Sequence, residues 1–118
     1  MANSDITIYH NPRCSKSRQT LALLEEHGAT PEIIEYLINP PDSNTLNQIL
    51  SMLDYSPRDL MRKKEAAYIE ENLADAALTH DQLVKAMINN PILIERPIVV
   101  AADRATIGRP PENVLELI

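Results

Sequence analysis

The chain has 118 residues, a length that suits one domain with its own core and needs no disulfide or structural metal. A net charge of −6 argues against a general nucleic-acid binder and makes the chain a poor long-range attractor of anions. No run approaches the roughly 18 apolar residues of a membrane span, and the N-terminus has no basic start, so a cytoplasmic protein without a membrane partner is expected.

Ile6 and Ile8 alternate with Thr7 and Tyr9, the period of a short strand. From Ser15 the period becomes helical. Ser17, Thr20, Leu21, Leu24 and Gly28 share a face, and Glu25 and Glu26 point away. His27 and Gly28 read as the end of that helix, with glycine as the left-handed cap. Pro31 to Leu37, PEIIEYL, predicts a second strand. Strand, helix and strand make a right-handed βαβ unit with parallel strands.

The middle of the chain reads as helical. Leu46, Ile49, Leu50 and Leu53 fall on one face. Ser56-Pro57 opens a short helix carrying Leu60 and Met61, and KEAAYIEENL predicts another. Thr79 and Gln82 make a capping box ahead of Leu83, Val84, Met87 and Ile88, and Asn90-Pro91 stops that helix. The strand period then returns in Arg96–Ala101 and Arg104–Arg109, joined through Ala102-Asp103 as a hairpin. Pro110 and Pro111 start a last helix whose apolar face is Val114, Leu115 and Ile118. The expected fold class is α/β. A mixed four-stranded sheet in the βαβ plus ββα arrangement of thioredoxin-like domains fills a single domain over 1–118, with a helical insertion at about 43–90 between the second and third strands.

The one cysteine, Cys14, excludes an internal disulfide and a cysteine-based zinc cluster. It stands between the end of the first strand and the first turn of the first helix. Free N–H groups and the helix dipole there favour anions, and cysteines so placed have pKa values of about 3.5–7.5 instead of about 8.5. Arg13, Lys16 and Arg18 would add to this if turned inward, His10 would help as imidazolium, and Ser17 would offer a hydroxyl. The ordinary fate of an unpaired cysteine is inert packing. A phosphatase-type loop would need arginine where Thr20 stands, and a redox dithiol would need cysteine where Ser17 stands.

The run IYHNPRCSKSRQTL closely resembles the active-site segment of the glutaredoxin-dependent arsenate reductase family. YLINPPD, LMRKKE, NPILIERPIVV and IGRPPENV resemble further family segments in the same order. The resemblance implies that Cys14 is the nucleophile and that His10 influences it. It also implies that Arg62, Arg96 and Arg109 hold an oxyanion and that Pro97 is the cis-proline beside the site, while Ser17, by its spacing, is the supporting residue for the thiol. The implied activity is reduction of arsenate to arsenite, with no bound cofactor or metal. Glutathione is the implied co-substrate and glutaredoxin the implied partner, because a second thiol must come from outside. Arg13 and Ser15-Lys16 stand where plasmid-type members have smaller residues. An Spx-like regulatory module would carry a Cys-x-x-Cys switch that Ser17 interrupts, and another glutathione-linked thiol reductase remains the other alternative.

Overall fold

The computed structural model describes residues 5–118. The chain divides into two compact units, one from the stretch before Pro40 joined to Arg96–Ile118, the other from Pro40–Glu95.

The first unit contains β1 (Ile6–His10), α1 (Ser15–Glu26), β2 (Glu32–Glu35), β3 (Ile98–Ala101) and β4 (Arg104–Ile107). The sheet order is β2-β1-β3-β4. β1 and β2 run parallel with Ile8 opposite Ile33, β3 is antiparallel to β1 with Val99 opposite Ile8, and β3 and β4 form the hairpin. This is the mixed βαβ plus ββα sheet expected of a thioredoxin-like domain. Ile6, Ile8, Leu24, Ala29, Val99 and Val114 form its aliphatic core. Burying one such side chain contributes about 1.5–3 kcal/mol, so the alternation of β1 and the helical period of α1 suffice to set their orientation.

Several boundaries differ from the sequence expectation: β4 stops at Ile107 and not Arg109, the helix expected over KEAAYIEENL is only Ala66–Glu70, and three further differences have a clear cause. β2 stops at Glu35, two residues before Leu37, because the carbonyl of Glu35 accepts the N–H groups of Ile38 and Asn39 and turns the chain. β3 begins at Ile98 because Pro97 has no N–H to give to the ladder. The last element is a 3₁₀ helix, Pro111–Leu117, and not an α-helix. Its period of three aligns Pro111, Val114 and Leu117. Val114 and Leu117 therefore meet the core while Ile118 is exposed, correcting the face assigned to Val114, Leu115 and Ile118.

The second unit holds α2 (Ser43–Leu53), α3 (Ala66–Glu70) and α4 (His80–Asn89), with 3₁₀ turns at Pro57–Leu60 and Pro91–Leu93. Asp42 caps α2 by accepting the N–H of Thr45 at 2.8 Å. Thr79 and Gln82 form the expected capping box on α4. The Pro57 turn is four residues of 3₁₀ helix, held by the Asp59 carboxylate, which accepts both the N–H and the hydroxyl of Ser56. The Arg58 guanidinium donates to the carbonyls of Leu73 and Asp75, at 2.9 and 2.6 Å, and so closes the loop after α3. Among the described residues, no helix is long and apolar enough to cross a membrane.

Candidate active site

β1 ends at His10, and the chain makes one tight turn before α1. The N–H of Cys14 donates to the carbonyl of Asn11, and Cys14 is the N-cap of α1, with extended backbone at φ −93° and ψ 124°. The loop is tied from both sides. Arg18 Nη1 donates to the Pro12 carbonyl at 2.9 Å, and Asn11 Oδ1 accepts the N–H of Arg13. Arg18 is thereby a brace for the loop, and Arg13 is exposed.

Cys14 is buried to 8% exposure, which by itself raises a thiol pKa. The opposing influences win. The thiol sulfur makes no close capping bond to the helix. The backbone N–H groups of Ser17 and Lys16 nonetheless lie where they stabilise an anion, and Arg96 and Arg109 add positive charge. The net direction is below the ordinary thiol value. Arg109 Nη2 lies 3.7 Å from Cys14 Sγ.

Arg96 and Arg109 come from the two chain segments next to the hairpin. Gly108 N–H donates to the Pro97 carbonyl at 2.9 Å, one rung beyond the β3–β4 ladder. The next rung is made by a side chain, with Arg109 Nε donating to the Arg96 carbonyl at 2.8 Å. Both X–Pro bonds here, Arg96-Pro97 and Arg109-Pro110, are cis. The first was expected. The second escaped the sequence reading, since Arg109-Pro110 carries no local signal separating it from a trans pair.

His10 faces Ser17, with Nδ1 at 2.7 Å from Ser17 Oγ. The same hydroxyl accepts the N–H of Asn11 at 3.0 Å. Burial pushes the His10 pKa down from its ordinary value of 6.5, against a raising influence of Glu35, and Arg18 lowers it further. This corrects the expectation of an imidazolium: desolvation favours the neutral ring. The Ser17 hydroxyl, expected on the sulfur, is turned to His10 and Asn11, and Ser17 serves Cys14 through its backbone N–H. Arg62 belongs to the second unit, where its guanidinium pairs with Glu65 at 2.8 Å. Among the described residues, no group of His, Cys, Asp and Glu is arranged to hold a metal ion.

The geometry is that of a buried thiol made acidic at a helix N-terminus, with guanidinium groups beside it. Comparison with known proteins gives the family. The ArsC family model matches residues 9–117. The chain is 56% identical to the Escherichia coli K12 uncharacterized protein YfgD, over 96% of each chain. It is 47% identical to an arsenate reductase of Neisseria meningitidis serogroup A, over 93% of this chain and 95% of the relative. The solved structure of an arsenate reductase from Vibrio cholerae superposes with a TM-score of 0.95 at 50% identity, covering 100% of both chains.

Proposed function

The chain belongs to the ArsC (arsenate reductase) family, and on that premise we propose that it reduces arsenate to arsenite through a thiolate at Cys14. The observation that carries the reading is the placement of the chain's one cysteine at the N-cap of α1, with the Arg109 guanidinium 3.7 Å from its sulfur.

The thiolate attacks arsenic and displaces an oxygen, which leaves as water after protonation, so that Cys14 becomes bonded to As(V). Arsenate is a tetrahedral oxyanion, and planar guanidinium forks pair well with its oxygens while staying charged. Arg96 and Arg109 are the cations that act on this sulfur, and the proposal assigns them to hold the oxyanion and to offset the charge that the thiolate brings. Arg62 is included as a third oxyanion ligand on the family resemblance.

Reduction of As(V) to As(III) takes two electrons. Two external thiols supply them and leave joined as one disulfide. Water then cleaves the Cys14–As(III) bond, releasing arsenite and the free thiol. Glutathione and glutaredoxin are the thiols proposed. The test is arsenite production from arsenate with glutathione, glutaredoxin and its reductant system, run beside Cys14→Ser. Turnover that depends on arsenate and vanishes in Cys14→Ser is expected. Absence of arsenite, or equal turnover in the variant, overturns the reading.

A further inference from the structure

Thr20 stands six residues beyond Cys14, at the position that set the chain apart from phosphatase-type loops, and the proposed reaction gives it no task. It is fully buried on α1. Its Oγ1 donates to the Lys16 carbonyl at 2.7 Å, and the Gly108 carbonyl lies farther off, at 3.4 Å. One hydroxyl has one proton, so the short contact takes it. In an α-helix the Lys16 carbonyl already accepts the backbone N–H of Thr20, so the hydroxyl adds a second donor to the same oxygen.

That carbonyl shares a peptide plane with the N–H of Ser17. Ser17 is the third helical residue after the N-cap Cys14, and the N–H at this position is one an N-cap side chain meets. A donor on the carbonyl side of a peptide polarises its N–H and strengthens whatever bond that N–H makes. Such hydroxyl-to-carbonyl bonds are ordinary in helices and slightly unfavourable to them. What differs here is that the polarised peptide lies at the cysteine end of α1.

The side chain of Thr20 also lies close against Gly108. A Cβ at Gly108 would lie 2.5 Å from Thr20 Oγ1, 2.9 Å from its Cγ2 and 2.8 Å from Pro97 Cγ. Strand exit and helix therefore touch at Thr20, one residue before Arg109.

We propose that Thr20 is a positioning residue for the Cys14 thiolate, its hydroxyl proton held on the carbonyl of the Lys16–Ser17 peptide so that the positive end of that peptide's dipole, at the Ser17 N–H, favours the thiolate more strongly. This deepens the assignment of Cys14 as nucleophile and rests on it. The charged groups acting on Cys14 are Arg96 and Arg109, and those acting on His10 are Glu35 and Arg18; none of the four is itself substituted when Thr20 is changed.

The test compares Thr20→Ala with Thr20→Ser, which differ from one another by the hydroxyl alone. The readout is the rate of Cys14 alkylation by iodoacetamide across pH, with no arsenate present, and thermal unfolding reports folding of each variant. Thr20→Ala is expected to raise the alkylation midpoint by about 0.3–0.5 pH unit, and Thr20→Ser to restore the parent value. If Thr20→Ala does not fold, Thr20→Val takes its place as the variant without a hydroxyl. Equal midpoints in the hydroxyl-bearing and hydroxyl-free variants overturn the proposal. A parent midpoint at the ordinary thiol value instead overturns the activation of Cys14 itself, and the two failures are thus told apart.

Discussion

Arg109 uses both ends of its guanidinium group. Nε is tied to the Arg96 carbonyl and Nη2 reaches the Cys14 sulfur, so the fork is positioned before any anion arrives. Lysine has no second nitrogen with which to do both. Arg109→Ala is expected to move the alkylation midpoint of Cys14 upward, because its charge is among the influences that lower the thiol pKa. An unchanged midpoint in a folded variant would remove Arg109 from the thiolate's surroundings. His10 behaves in the opposite sense to a charged helper. Its folded pKa lies below 6.5, so below that value the unfolded chain binds the proton first and stability falls as pH drops towards the folded pKa. His10→Asn is expected to flatten this part of the acid limb in urea unfolding measured over a pH series. An unchanged slope would show that the buried ring does not set it. The lowered thiol pKa of Cys14 was legible in its place before the first helix, but the state of His10 was not, because burial and the distance to Glu35 and Arg18 exist only in the fold.

At the scale of elements, the site depends on how closely the end of β4 approaches α1. Gly108 is needed there for space: a side chain would meet Thr20 and Pro97 below van der Waals distance. Gly108→Ala is expected to cost about 1–3 kcal/mol by overpacking, read as a lowered thermal midpoint, and to raise the Cys14 alkylation midpoint by displacing Arg109. A variant as stable as the parent, with an unmoved midpoint, would show that the approach relaxes freely. The elements themselves were largely readable. The alternation of β1, the capping box of Thr79 and Gln82 and the two-residue hairpin at Ala102-Asp103 are local signals, and local signals survive folding. The misread C-terminal element failed for a physical reason. Two prolines announce a helix start but say nothing of its period, and the core contacts of Val114 and Leu117 fit three residues per turn. The two carbonyl partners of Arg58 lie 15 and 17 residues away in sequence. No pattern within a few residues of Arg58 could announce them.

At the scale of the whole molecule, charge and cysteine count constrain the chemistry together. A chain of net charge −6 repels anions at long range, yet close-range cations in a low-dielectric setting dominate once an anion arrives. The buried Cys14, with Arg96 and Arg109 acting on it, is such a setting. The cysteine count has the stricter consequence. With one thiol in the chain, attack on arsenic can form an adduct, but no second sulfur of the same chain can attack it. An intramolecular disulfide is impossible, and the two electrons that turn As(V) into As(III) have to come from outside. Purified protein given arsenate alone is therefore expected to release no arsenite, and release is expected to begin when an external thiol is added. Chromatographic speciation of arsenic, with and without glutathione and glutaredoxin, checks both halves. Arsenite appearing without any added thiol, in excess of the one per two chains that a disulfide between two copies could yield, would mean that Cys14 is not the centre through which the electrons pass. Release with glutathione alone, at the same rate as with glutaredoxin present, would leave Cys14 in place and remove glutaredoxin from the cycle.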